Sequence, residues 1–499
     1  ASRDAEVMAK WQAHPVIYEI NAWRWLHELS ARSRGSITLG SVPGEEWDRL
    51  ASFGVDAVWL MGVWERSPLG IKVANRDPKL RSEFARALPD LVEDDIVGSP
   101  YCIRRYRVDA RLGGPEGLAQ ARAALARRGL RLILDFVPNH VALDHHWAHE
   151  QPEFFIQGKA EDLQRDPESF YDVGGKVVAR GRDPYFPAWP DVAQLNAFHP
   201  GLRGAAVETV RAIAEQSDGM RCDMAMLMMN DVFARTWGER AGRRPPTEYW
   251  HDVIGEVRSQ HPDLLFIAEA YWDLEWELQQ QGFDYCYDKR LYDRLVHENA
   301  GAVRGHLHAD IHYQNRLVRF LENHDEPRAA ATFAPQGRAR AAAVVMMTLP
   351  GAKLLHEGQL EGYRARMPVF LRRHPPEAED RALRAFYQRL LQAQKTHGGL
   401  QGEWALCEAT GWPDNQSAHN LLAWSWRNGP ARSLVAANYS DTASQGSVRL
   451  PWDDEAPGPW RLTDLLSGER YERDGAELQR QGLFVDLKPW GFHYLLLER

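Results

Sequence analysis

Residues 115–137 read PEGLAQARAALARRGLRLILDFV, and their pattern decides the fold. Leu118, Ala121 and Leu125 recur at helical spacing, and Gly129 stands where a helix C-terminus wants a left-handed residue. Leu130–Val137 is then a short, almost wholly apolar run ended by Pro138, which suits a strand buried on both faces. A helix over Pro115–Arg128 feeding such a strand is one unit of a parallel α/β fold. The rhythm recurs on both sides. Upstream lie Val16–Ile20, a helix around Glu46–Phe53 stopped by Gly54, and Val55–Met61. Downstream, helices around Ala205–Gln216, Thr247–Gln260 and Arg338–Thr348 feed Gly219–Met224, Leu264–Ala268 and Ala352–His356, with Phe283–Tyr287 and Arg319–Glu322 between. Eight strand candidates, and no GxGxxG turn after the first, favour a closed (β/α)8 barrel over an open sheet.

Two stretches break the rhythm. Residues 138–200 are rich in Pro, Asp, Gly and aromatics, and are too long for an ordinary loop, so an inserted small domain is expected there. From about Gly398 the chain turns to short runs such as LLAWSW (421–426), LVAANY (434–439) and LFVDL (483–487), separated by turn residues. These predict an antiparallel β-sandwich domain over 398–499. The barrel is left with 1–137 and 201–397.

The chain has 499 residues, with 44% hydrophobic and 26% charged, enough for a large core. With 60 basic and 69 acidic residues the net charge is −9, which argues against nucleic acid or an anionic membrane as main partner. No apolar run approaches the roughly 20 residues of a membrane span. The N-terminal stretch ASRDAEVMAKWQAHP has neither an apolar nor a basic signal region, so either there is no export signal or it was removed before this numbering begins. With four scattered cysteines and no CxxC pair, a cytoplasmic protein is expected.

In an α/β barrel the catalytic groups sit at the C-terminal ends of the strands. Those ends carry Asp135 to His140, Arg221-Cys222-Asp223, Glu269, and Glu322-Asn323-His324-Asp325. Carboxylates at the ends of apolar strands are costly without partners, and their convergence with two histidines and an arginine on one rim points to acid chemistry. Paired carboxylates suit glycosidic bond cleavage, where one must be ionised and another must hold a proton. Arg221 and Asp223 are two apart on a strand and so share a face, which keeps Asp223 ionised. Glu269 follows the apolar run Leu264–Ala268, whose desolvation favours the protonated form.

These stretches, DFVPNH (135–140), GMRCDMAM (219–226), IAEAYW (267–272) and FLENHDEPR (320–328), resemble in kind and order the four short regions of glycoside hydrolase family 13, the α-amylase family. VIYEI (16–20) and DHHW (144–147) extend the likeness. The resemblance implies a retaining enzyme with Asp223 as nucleophile, Glu269 as general acid/base and Asp325 as stabiliser of the oxocarbenium-like transition state. It also implies that Arg221 orients Asp223, that Asp135 belongs to the substrate-binding set, that His140 and His324 act as neutral donors to the sugar, and that Tyr101 stacks beneath it. The substrate is then an α-linked gluco-oligosaccharide or polysaccharide. A transglycosidase or isomerase with the same triad is the alternative, and a non-catalytic sugar-binding protein is disfavoured because all three carboxylates are present.

The sequence also departs from the family. Where α-amylases carry a Lys-His pair after the nucleophile, this chain has Met226 and Leu227. Asn139 and Asp191 match positions of the family's calcium site, but Leu227 offers no donor, so no metal or other cofactor is expected. Trp147, Phe154, Phe155, Tyr185, Phe186 and Trp189 are expected to hold the insertion by packing instead. The histidines 140, 145, 146 and 149 lack a ligand spacing such as HExxH. Cys102 stands where exo-acting α-glucosidases often have an aspartate, which leans away from that class. The methionines 224, 226, 228 and 229 are read as packing rather than an acceptor groove.

Overall fold

The computed structural model describes residues 11–396, 400–453 and 457–499. Eight parallel strands close a barrel in chain order: β1 (Val16–Asn21), β2 (Ala57–Met61), β3 (Arg131–Phe136), β4 (Gly219–Cys222), β5 (Leu265–Ala268), β6 (Tyr285–Tyr287), β7 (Leu317–Phe320) and β8 (Ala352–His356). β8 returns to β1, with Val16 opposite Lys353. Helices α1 (Ala22–Ser33), α2 (Gly44–Ser52), α3 (Gly114–Ala126), α4 (Pro200–Ala214), α5 (Tyr249–Arg258), α6 (Lys289–His297) and α7 (Gln336–Thr348) intervene, and α8 (Arg381–Lys395) follows β8. Gly54 and Gly129 both take positive φ, 76° and 73°, at the turns into β2 and β3.

Four strands differ from the pattern reading by two residues at an end, β6 among them, which begins at Tyr285 rather than Phe283. β4 stops at Cys222 because Met224 turns left-handed, with φ 41°. β2 begins at Ala57 rather than Val55. β7 runs over Leu317–Phe320, earlier than Arg319–Glu322, because Arg319 is an inward residue of the strand: it is fully buried and bonded to Asp288 and Gln314. The pattern reading also places no elements between β2 and α3. There, Trp64–Arg66 pairs with Ile103–Val108, and helices over Pro68–Arg76 and Pro78–Ala87 fill the excursion that delivers Tyr101 to the rim.

The insertion after β3 has its own small core of Val141, Leu143, Phe155, Val178 and Leu195. His140–Ala142 pairs with Val192–Gln194, and Phe170–Val173 with Lys176–Ala179. Trp147 meets Phe154 edge-on at 5.4 Å, and Trp189 lies 5.1 Å from His140. Tyr185 and Phe186 are not anchors. They are 59% and 69% exposed, because the turn held by Asp183 projects them outward.

Beyond the barrel lie a six-stranded and a three-stranded antiparallel sheet around a second core with Leu421, Leu434, Leu462 and Leu497. Trp424 and Trp426 dock this domain on α7 by donating to Thr348 at 3.0 and 2.8 Å. The expected boundary at 397–398 and the first ten residues of the N-terminal stretch fall outside the described residues. All four cysteines are free and buried. No described helix is long and apolar enough to cross a membrane.

Candidate active site

Backbone register places the two central carboxylates. Asp223 N–H donates to Phe136 O at 2.9 Å, and Glu269 N–H donates to Cys222 O at 3.0 Å, so each follows its strand by one residue at the same rim. Arg221, fully buried, reaches both: Nη1 bonds Asp223 Oδ1 at 2.8 Å and Nη2 lies 3.0 Å from Glu269 Oε2. The period of the strand puts Arg221 and Asp223 on one face while Cys222 points away and is buried. Glu269 is buried, as the apolar run before it requires, but well supplied with donors. Met224 N–H donates to Oε2 at 2.7 Å and Tyr271 O–H to Oε1 at 2.8 Å. Burial and the neighbouring Glu269 charge push Asp223 upward, with Arg221 opposing both. The expectation that Arg221 keeps Asp223 ionised is therefore opposed by burial and by the charge of Glu269.

Beneath them, Asp135 accepts from Trp59 Nε1 at 2.8 Å and from Arg221 Nη1 at 3.3 Å. Burial raises it to about 6 in spite of Arg221. Both of its side-chain bonds are to Trp59 and Arg221, so it sits behind the guanidinium that reaches Asp223 and Glu269. Trp64 Nε1 also donates to Asp135 O, at 2.8 Å, and Tyr287 O–H lies 3.3 Å from Arg221 Nε.

Elsewhere on the same rim, after β7, His324 bonds Glu19 through Nδ1, and Asp325 through Nε2 at 3.1 Å. Burial alone would lower its pKa, but these two carboxylates hold it well above the ordinary value. His324 is therefore cationic, which corrects the expectation of a neutral donor. The same contact holds Asp325 down to about 2 against the pull of desolvation, so Asp325 is ionised, and its side chain is about half open to the cleft (49%). Tyr101 packs on His324 with ring centroids 5.4 Å apart, its hydroxyl 3.0 Å from Nε2. His140 does follow expectation: burial lowers it to about 4, so it is neutral.

The rim thus brings together Tyr101, Asp135, His140, Arg221, Asp223, Glu269, His324 and Asp325. Glu19, Trp59, Tyr271 and Tyr287 belong to the same network and were not singled out from sequence. Glu19 did leave a signal, a charged residue inside the apolar run VIYEI.

The residues at the family's calcium position do not fit that ion. Asn139 and Gln194 exchange amide bonds, Nδ2 to Oε1 at 3.1 Å and Nε2 to Oδ1 at 2.9 Å, so the Asn139 oxygen is already used. Leu227 is buried apolar surface, and burial raises Asp191 to about 6, which disfavours the ionised form a cation needs. A calcium ion takes six to eight oxygens. No group of three or more His, Cys, Asp or Glu that could hold a metal exists among the described residues. Cys102 is likewise buried, bonded to Asp191 O at 3.2 Å and turned from the cleft.

The family model described as alpha amylase, catalytic domain, matches residues 44–397. The chain belongs to the α-amylase family. Among curated relatives, alpha-amylase MalA of Haloarcula japonica is 23% identical over 474 residues, covering 92% of this chain and 59% of that protein. The cyclomaltodextrinase of Geobacillus thermopakistaniensis is 21% identical over 419 residues, covering 79% and 64%. The chain therefore spans about three-fifths of the length of these relatives. Among solved structures, a noncanonic maltogenic alpha-amylase AmyB from Thermotoga neapolitana has the same fold. It superposes with a TM-score of 0.70 at 19% identity, over 98% of this chain and 99% of that one. Within the α-amylase family, this chain departs where its sequence does: Met226, Leu227, Met228 and Met229 are buried as packing, whereas Met224 is only half-buried, at the left-handed turn after β4.

Proposed function

We propose that this α-amylase family member is a retaining α-glycosidase that hydrolyses α-glucosidic bonds in malto-oligosaccharides or α-glucans. One observation carries the reading: a single buried guanidinium touches both Asp223 and Glu269. That supports the short carboxyl separation of retaining enzymes, about 5–5.5 Å, rather than the about 6.5–9.5 Å that leaves room for a water. Asp223 attacks the anomeric carbon while Glu269 gives its proton to the departing glycosidic oxygen. Glu269 then takes a proton from the water that releases the sugar. Asp325 and the cationic His324 bind hydroxyls of the same ring, and developing positive charge on the ring favours the ionised Asp325. Tyr101 supplies the flat face beneath it.

Incubation with maltose, maltoheptaose, starch, trehalose and sucrose, followed by product analysis, tests the substrate class. Proton NMR should show the α-anomer first, and a β-anomer appearing first defeats the retaining mechanism. A second reading, a transglycosidase, is favoured by the apolar Met226 and Leu227 where hydrolases of the family have a Lys-His pair. Products longer than the donor at raised maltose would select it. The four free, buried cysteines support a reducing compartment, and we place the protein in the cytoplasm.

A further inference from the structure

The donors around Glu269 differ in one chemical respect. Oε2 faces the Met224 N–H at 2.7 Å and Arg221 Nη2 at 3.0 Å, groups that donate and never accept. Oε1 faces the Tyr271 hydroxyl at 2.8 Å, which can do either. Burial and the Glu269 charge push the Tyr271 phenol well above its ordinary range, so it keeps its proton and remains a hydroxyl. A proton placed on Oε2 would point at N–H groups with no lone pair. A proton on Oε1 meets an oxygen that can turn to receive it, or the incoming glycosidic oxygen.

Resting on the reading of Glu269 as acid/base, we propose that Tyr271 is a positioning residue for the proton transfer and that Oε1 is the oxygen that carries the proton. In the first step the Oε1–H bond breaks as an O–H bond forms on the glycosidic oxygen. The C–O bond to the leaving sugar breaks with its electron pair going to that oxygen, and an Asp223 oxygen forms the new bond to carbon. As Oε1 becomes charged, the Tyr271 O–H swings to donate to it. In the second step Oε1 draws the proton from water and the hydroxyl swings back. Among the described residues, Tyr271 is the one reversible partner in direct contact with the Glu269 side chain. The other charged or titratable groups facing it are Arg221 and Asp223 from β4 and Tyr287 from β6, with Asp325 of the β7 loop facing Tyr271 itself.

Donation to a carboxylate is stronger than acceptance from a neutral acid, so the hydroxyl favours the ionised form. Tyr271→Phe should therefore move the alkaline limb of kcat/KM on maltoheptaose upward by about one pH unit. It should lower the rate at the optimum by about tenfold or more. On α-glucosyl fluoride, whose leaving group needs no proton, kcat/KM should change little. A fluorinated tyrosine at 271, more acidic and nearly isosteric, should move the limb downward; it decides the matter if the Phe variant fails a circular dichroism check. An unmoved limb, or equal losses on both substrates, overturns the role of Tyr271. Glu269→Gln separates this from failure of the underlying reading. It should collapse kcat/KM on maltoheptaose while sparing the fluoride, with azide restoring turnover. If Glu269→Gln loses both equally, Glu269 is not the proton donor; if it behaves as stated and Tyr271→Phe does not, only the Tyr271 proposal falls.

Discussion

The barrel rim and the inserted segment face the same cleft but are held by different forces. On the rim, Glu19, Asp135, Arg221, Asp223, Glu269 and His324 are all buried, and each is bonded to another member of the set or to its close neighbours. In the insertion, the position that matches the family's calcium site carries an amide pair, Asn139 with Gln194, over a core of Val141, Leu143, Phe155 and Leu195. The rim carries costly charges, which the proposed bond cleavage would need. The insertion is held by packing, by this neutral pair and by an ion pair at its edge, where Arg240 meets the buried Asp162 at 2.9 Å.

The contrast can be broken on the rim first. Asp223→Asn should cut turnover by on the order of 10⁴-fold or more with an unchanged circular dichroism spectrum. A folded variant with near-normal activity removes the nucleophile from the account. Arg221→Met leaves Asp135, Asp223 and Glu269 without their shared cation, and a stability loss of about 3–5 kcal/mol should appear in urea unfolding. A loss under about 1 kcal/mol would mean that the rim charges relax by protonation instead.

In the insertion, effects should be smaller. Gln194→Leu leaves the Asn139 side-chain oxygen without its donor and should cost about 1–3 kcal/mol, with kcat changed less than stability. The sign of the pH dependence sharpens the comparison further. His324 has a raised pKa, so its contribution is fully present below its unfolded value of about 6.5 and is lost as pH rises through the raised value. The stability gap between the wild type and His324→Gln should therefore be widest in mildly acidic solution and narrow in alkali; a gap that widens with pH contradicts a cationic His324. Smallest of all, a chelator should move the melting midpoint by no more than about 1 °C, since a site without its donors gains little by mass action. A large drop restored by calcium would show that the amide pair opens to admit the ion.

Much of this rim was legible in the chain. Arg221 and Asp223 could be placed on one face because side chains on a strand alternate, and Glu269 could be placed at a strand end because an apolar run precedes it. Tyr271 and Trp59 carried no comparable signal, since an aromatic near a strand is more often core than part of a site. The insertion was the harder case. Tyr185 and Phe186 are hydrophobic in composition, yet a turn capped by Asp183 sets their exposure, and no periodicity reports on a turn's direction.

By itself the sequence determined the eight-stranded barrel, the interruption after β3, and the identity of the carboxylates at the strand ends. These follow from short-range periodicity and from the cost of placing charge beside apolar runs. Only the tertiary structure decided the charge of His324, which depends on Glu19 lying 305 residues earlier in the chain. It alone paired Asn139 with Gln194, 55 residues away, and surrounded Glu269 with two kinds of donor. Protonation and hydrogen-bond partnership are set by distance in space, which the spacing of residues along a chain does not encode.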